Sequence, residues 1–154
     1  MTKNEEYVMV PQKWEIPYKH SAGRVAIRFF NELKNKRIVG AKCPRCKRIL
    51  VPPWPFCEQC FVALDEWFQV GEVGTIETFT ICYEKFTGLP DPPYAIGGVK
   101  LEGADTSFFH FIGGVDLSDP EKALEKIRVG AKVRAVWREK TEGNILDIKY
   151  FEPI

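Results

Sequence analysis

Apolar positions recur at three- and four-residue spacing in one early segment, from about Ser21 to Lys34. The side chains that follow this spacing are Ala22, Ala26, Phe29, Phe30 and Leu33. The spacing predicts an amphipathic helix, and Ser21 is suited to be its N-cap. Its aromatic face favours packing on the body of the protein and leaves open the docking of a partner or an acyl chain. Residues 1–20 are expected to be irregular.

The pattern changes to short β segments with Gly and Pro punctuation after about residue 70. Strands are predicted near 73–82, 93–101, 106–114, 131–139 and 145–152, with shorter ones at 37–42 and 63–68. One short helix is predicted over 119–128, with Asp119 as its cap and Pro120 at its first position. Five strands with a helix before the fourth predict a closed Greek-key barrel of the OB type.

Four of the five cysteines lie between these two regions, as Cys43-x2-Cys46-x10-Cys57-x2-Cys60. Two Cys-x-x-Cys turns joined by a short hairpin can present four thiolates to one tetrahedral ion, which predicts a structural zinc ribbon. Four protein ligands leave no position for a metal-bound water, so catalytic zinc is not expected. Iron in a rubredoxin-like site has the same geometry and stays open. A redox dithiol is the weaker alternative.

The fold predicted is therefore mainly β, in three segments. We expect an N-terminal helical segment over 1–36, a rubredoxin-like zinc ribbon over 37–70 and a five-stranded OB-type barrel over 71–154. No apolar run is long enough to span a bilayer, and the first residues lack the features of a signal peptide. A cytoplasmic protein is expected, in which paired Cys-x-x-Cys motifs are metal ligands and not disulfides.

The net charge of +1 conceals an uneven distribution. Residues 1–57 contain 12 Lys and Arg against 4 Asp and Glu, whereas residues 58–154 contain 10 against 17. Such asymmetry is typical of a surface for an anionic partner, and equally of a solvated basic face beside an acidic neighbour.

The segment FFNELKNKRIVGAKCPRCKRILVPPWPFCEQC resembles the start of a known family of acyl-CoA-associated proteins, domain of unknown function thirty-five. The shared features are the Phe29-Phe30 pair, the basic turn from Lys34 to Arg37, the Val-Gly-x-x-Cys entry at 39–43 and Pro52-Pro53. The resemblance continues through barrel segments 71–81, 92–103 and 129–137, and covers about residues 27–150. This chain departs from the family at three positions. Lys47 and Phe61 stand where the family commonly has a glycine directly after each Cys-x-x-Cys, and Trp54 stands where it often has an arginine after Pro-Pro.

The resemblance implies a non-catalytic accessory subunit, in lipid or isoprenoid metabolism, that partners thiolase-like or hydroxymethylglutaryl-CoA synthase-type enzymes. It implies a structural Zn²⁺ on the four cysteines and CoA or acyl-CoA as a bound ligand. A basic face can hold the phosphates of CoA, and an aromatic surface can line its apolar arm. The residues expected near the phosphates are Arg45, Lys47 and Arg48, and those near the arm are Phe29, Phe30 and Trp54.

Two other functional classes compete with this one. Zinc ribbons and OB-folds also bind single-stranded nucleic acid, and the basic run between residues 34 and 48 suits a phosphate backbone. The acidic barrel and a pI of about 7.6 argue against that reading. For an enzyme, the candidate residues are Cys82, His20 and His110. No nucleophile–base order or paired carboxylates accompany them, so intrinsic catalysis is not expected.

Overall fold

The computed structural model describes residues 8–13 and 16–154. Helix α1, Gly23–Lys34, buries Phe29 and Leu33 on one face, as the apolar spacing predicted. Ser21 is not its N-cap, and that expectation was wrong. Ala22 holds the capping position without a side-chain hydrogen bond, because the helix begins two residues later, at Gly23. The rest of residues 1–20 is irregular where described, and residues 1–7, 14 and 15 lie outside that part.

A three-stranded antiparallel sheet follows the helix and carries the cysteine cluster. It consists of β1 (Val39–Lys42), β2 (Ile49–Leu50) and β3 (Glu66–Gln69), in the order β2-β1-β3. Strand β3 starts later than the predicted 63–68, although Ala63 makes an isolated bridge to Phe56. The hairpin between β1 and β2 forms the first Cys-x-x-Cys turn.

Five strands then close the predicted barrel in the order β4-β5-β6-β8-β7. They are β4 (Val73–Cys82), β5 (Tyr94–Leu101), β6 (Ser107–Ile112), β7 (Lys132–Trp137) and β8 (Ile148–Pro153). Helix α2, Pro120–Lys126, precedes β7, and the Asp119 side chain accepts a hydrogen bond from the Lys122 N–H, as predicted. The mainly β architecture with an OB-type barrel is confirmed.

Strands β4 and β5 approach each other too closely for a side chain at Gly97. A Cβ atom there would meet the Ile112 side chain and lie 2.9 Å from the Thr78 carbonyl oxygen. The pairing register shifts beside this point, between Ile76 and Thr78. Glycine is required at this position because the close approach leaves no space for a methyl group.

One hydrophobic core runs through helix, ribbon and barrel. Phe29 of α1 meets Phe108 of β6 edge-on, with ring centroids 6.2 Å apart. The same core includes Val39 and Val51 from the ribbon segment and Phe151 from β8. The predicted division of the chain into three segments, with boundaries at residues 36 and 70, stays a prediction. Among the described residues, no helix has the length and apolar character needed to cross a bilayer.

The connection between β7 and β8 is organised by one buried carboxylate. The predicted strand over 145–152 begins instead with a 3₁₀ turn, Ile145–Asp147, because Asn144 and Asp147 form a capping box. The Asp147 oxygens accept hydrogen bonds from the backbone N–H groups of Glu142, Gly143 and Asn144, at 2.9, 2.7 and 3.2 Å. Burial would raise the pKa of Asp147, but these bonds outweigh it and lower the pKa below the usual range.

His110 of β6 fixes the same turn from inside the structure. Its ring is buried against the Phe108 and Phe151 rings, and Nε2 lies 3.0 Å from the Ile145 carbonyl oxygen. Nδ1 accepts from the Phe111 N–H, so the neutral tautomer with hydrogen on Nε2 satisfies both contacts. Burial lowers the pKa of His110, which keeps the ring neutral.

Replacing Asp147 with Asn should destabilise the protein by about 2–3 kcal/mol at pH 7, because three N–H groups lose a charged acceptor. The folded pKa of Asp147 lies below its unfolded value of about 3.9, so its contribution is complete above that pH and is lost as pH falls. Urea unfolding should therefore show that the difference in free energy of unfolding between wild type and Asp147→Asn is smaller at pH 3 than at pH 7. Glu139→Gln, an exposed charge change on the same connection, should have little effect at either pH. A difference in free energy of unfolding between wild type and Asp147→Asn that does not change with pH would contradict this role of Asp147.

Replacing His110 with Phe should flatten the pH dependence of the free energy of unfolding between pH 7.5 and 5.5. The folded pKa is below the unfolded value of about 6.5, so the wild type loses stability as pH falls, by at most about 1.4 kcal/mol per pH unit. His20→Ala removes the other, exposed histidine and should leave the slope of the wild type. Equal slopes in wild type and His110→Phe would exclude His110 as the titrating group.

Candidate functional site

The two Cys-x-x-Cys segments form equivalent knuckles. In the first, the Lys47 N–H donates to the Cys43 carbonyl oxygen at 3.0 Å; in the second, the Phe61 N–H donates to the Cys57 carbonyl oxygen at 2.8 Å. Lys47 and Phe61 have φ values of 66° and 52°. These are the positions where the resembled family has glycine, and the left-handed backbone that glycine favours is present here without it.

The four thiols converge on one point. The Sγ atoms of Cys43, Cys46, Cys57 and Cys60 all lie within 4.8 Å of one another, and those of Cys46 and Cys57 are 3.7 Å apart. A tetrahedral site with Zn–S bonds of about 2.3 Å has edges of about 3.8 Å. The donor set and spacing therefore fit a tetrahedral thiolate-bound ion, and the cysteines are positioned to bind a metal.

Without a cation, the thiols of this cluster cannot all ionise. Burial would raise the pKa of Cys43, but N–H groups of Cys46 and Arg45 outweigh it and lower the pKa to about 6. Burial, followed by the neighbouring sulfurs, raises the pKa of Cys60 to about 12. A divalent cation removes this conflict because it favours thiolate at every position.

The basic residues of the first knuckle differ in their availability. Arg48 pairs with Glu58 at 2.7 Å, and this hydrogen bond raises the pKa of Arg48. Lys47 donates to the Pro44 carbonyl oxygen at 2.7 Å, and Arg45 is exposed. Only part of the expected anion-facing edge is thus free of internal contacts, and its binding role stays a prediction.

The aromatic residues predicted to line an acyl arm differ in their exposure. Phe29 is buried in the common core and belongs to the packing of α1, while Phe30 is half-buried against the same core. Trp54 is 59% exposed. Its exposure makes Trp54 the member of this set that is available to a ligand.

A surface groove of about 760 Å³ lies between the N-terminal half of α1 and the Pro52–Pro55 segment. Trp54, Trp67 and the prolines provide its apolar surface. Arg24 and Arg28 provide positive charge, and Asp65 provides one negative charge. The Arg28 guanidinium stacks on the Trp67 ring, 4.3 Å from its centroid. The groove brings Trp54 together with two arginines that sequence reasoning missed. Their i, i+4 spacing on the predicted helix was the available signal.

The residues considered for catalysis do not assemble into a site. Both ring nitrogens of His110 are occupied by backbone contacts. Cys82 is half-buried at the end of β4, and His20 is exposed in the irregular segment before α1. Among the described residues, the groove is lined by no Cys, His, Ser or Thr, and Asp65 is its one carboxylate.

Comparison with known proteins connects these features to a family. The family model of the ChsH2 rubredoxin-like zinc ribbon domain matches residues 30–65, and that of the ChsH2 C-terminal OB-fold domain matches residues 67–138. Together they account for more than half of the chain. No curated protein matches the chain.

Two solved structures have the same fold. One, named Ltp2-ChsH2(DUF35) aldolase, is 21% identical with a TM-score of 0.64, covering 88% of this chain and 98% of that one. The other, a DUF35 protein of unknown function from Sulfolobus solfataricus, is 24% identical with a TM-score of 0.61, covering 86% and 87%. The chain belongs to the DUF35 family, in which a rubredoxin-like zinc ribbon precedes an OB-fold domain.

Proposed function

We propose that this protein is a non-catalytic subunit that binds acyl-CoA and holds it in position for a thiolase-like or hydroxymethylglutaryl-CoA synthase-type enzyme. The observation that carries the proposal is the groove between α1 and Pro52–Pro55. Its two arginines outnumber the one carboxylate among its described lining residues, Asp65, and the groove also contains an exposed tryptophan. This combination matches a ligand with phosphates at one end and an apolar arm at the other. Such a subunit acts by raising effective concentration, with no bond made by its own side chains.

An enzyme partner is supported by two further observations. A structure with the same fold is named as an aldolase that contains both Ltp2 and a DUF35 chain. On this chain, large apolar side chains are exposed around the helix and ribbon: Ile27, Trp54, Phe56 and Phe61. Exposed apolar surface of this kind is typical of protein contacts.

We also propose that the four cysteines bind one structural Zn²⁺. Elemental analysis should find one zinc per chain, and Cys57→Ser should lose it together with much of the thermal stability, because a buried ligand is removed. Cys82→Ser provides the matched control, since it removes the one cysteine outside the cluster. It should keep the metal. Iron, recognised by visible absorption, or zinc retained by Cys57→Ser, would contradict the assignment.

Replacing Arg24 and Arg28 together with Ala should weaken CoA binding by roughly 30- to 900-fold, because two charge-assisted hydrogen bonds to phosphate are lost and each contributes about 1–2 kcal/mol. The measurement is calorimetric titration of CoA into the protein in complex with its enzyme partner. Arg128→Ala with Arg134→Ala removes the same charge from exposed barrel positions and should leave affinity unchanged.

Native affinity capture separates this function from nucleic-acid binding. The proposal requires recovery of an acyl-CoA-using enzyme with the chain, and no salt-sensitive shift of single-stranded oligonucleotides. Recovery of nucleic acid without such an enzyme, or equal loss of CoA affinity in both double variants, would overturn it.

A further inference from the structure

A surface cleft of about 640 Å³ lies on the barrel, and it shares no lining residue with the groove beside α1. We refer to it as the barrel cleft. The apolar side chains that line it include Leu89, Pro90, Pro93, Phe111, Leu117 and Leu146. Leu89 and Leu146 are 40% and 42% exposed, so this apolar surface is open to the solvent. Apolar surface of this kind is typical of contacts with another molecule.

The charge of the barrel cleft is positive. Arg138 and Lys149 line it with exposed side chains, and no Asp or Glu is among its described lining residues. Within the part of the chain that the structure describes, neither cation makes a salt bridge with a carboxylate. The cleft therefore favours an occupant that carries carboxylates beside an apolar side chain.

Helix α2 presents this combination on the same chain. Glu121, Leu124 and Glu125 have the i, i+3, i+4 spacing that places side chains on one face of a helix. Leu124 is 47% exposed, and both glutamates are exposed. Lys122 pairs with Asp119 at 2.8 Å, and neither glutamate takes part in a salt bridge between described residues. This face of α2 is thus complementary to the barrel cleft in both charge and polarity.

Helix α2 cannot place this face in the cleft of its own chain. Its opposite side is fixed on the barrel, because Ala123 and Ile127 are completely buried. The cleft and α2 are neighbours on the surface, since Leu117 lines the cleft and α2 begins three residues later, at Pro120. Two neighbouring patches that are complementary can close as a two-fold pair, in which each chain supplies both patches.

We propose that the barrel cleft binds helix α2 of a second copy of this chain, so that two copies associate as a symmetric dimer. Leu124 of each copy enters the apolar surface of the other copy's cleft. Glu121 and Glu125 pair with Arg138 and Lys149 at the same contact. None of these residues lines the groove beside α1, so the dimer does not rest on the proposed acyl-CoA function.

The test is sedimentation of the full chain over a range of concentrations, in which wild type should pass from monomer to dimer. Arg138→Glu with Lys149→Glu should weaken dimerisation at least about tenfold, because like charges then meet and each substitution enters the interface twice. Glu121→Lys with Glu125→Lys should weaken it to a similar extent for the same reason.

Mixing these two variants is the decisive measurement. In a mixed pair, the acidic cleft of one chain meets the lysines of the other, and the basic cleft meets the unchanged glutamates. Both contacts are then complementary, so the equimolar mixture should regain dimerisation close to that of wild type although each variant alone is weakened.

A matched control and three outcomes make the result specific. Lys100→Glu with Arg134→Glu changes the net charge equally at exposed positions outside the cleft and should leave dimerisation unchanged. The proposal is overturned if wild type stays monomeric up to about 1 mM, the weak end of specific association. It is equally overturned if the control weakens dimerisation as much as the cleft variant, or if the mixture stays monomeric.

Discussion

The packing of Phe29 and Leu33 against the barrel interior is the interaction on which the rest of the structure depends. Each side chain is almost fully buried, and burial of a large apolar side chain contributes about 1.5–3 kcal/mol. Phe29 contacts Phe108, and Phe108 contacts Phe151 edge-on at 6.1 Å, so the helix joins the centre of the barrel core. Because α1 is fixed by its C-terminal half, its N-terminal half is held opposite Pro52–Pro55, and the groove between them exists without a ligand.

The ribbon depends on two other constraints. Its own buried cluster is small and includes the cysteines themselves, with Ala41, Leu50 and Leu64. A core of that size supplies little stability, which is why a metal is the usual centre of such modules. The other constraint is the barrel. Thr106 exchanges hydrogen bonds with Val51, and the Asp105 carboxylate accepts from the Ile49 N–H at 2.8 Å. The cysteine cluster and the barrel together therefore orient the segment that carries Trp54.

Local sequence patterns were sufficient to predict most secondary-structure elements, the barrel and the clustering of the four cysteines, because hydrophobic periodicity and ligand spacing depend on residues close together in the chain. The functional surfaces depend on distant pairs. Phe29 was predicted to lie near an acyl arm, and its burial against Phe108, almost eighty residues away, is a contact that local spacing does not predict. Arg28 is identified as a groove residue by its stacking on Trp67, which is distant in the sequence. A 3₁₀ turn at 145–147 is found where a strand was predicted, because the Asp147 carboxylate accepts hydrogen bonds from three backbone N–H groups. The alternation of apolar and polar residues does not indicate such a turn.

The same rigidity determines how the groove relates to the rest of the barrel. The Thr141 hydroxyl donates to the Lys34 carbonyl oxygen at 2.7 Å, so the β7–β8 connection contacts the C-terminal end of α1, while the groove lies at its N-terminal half. Coupling between distant sites requires an element with two alternative positions. Phe29 and Leu33 hold α1 in one position, and Asp147 holds the connection in one. The structure describes one position for each of these elements, which favours CoA binding to a groove that keeps its shape.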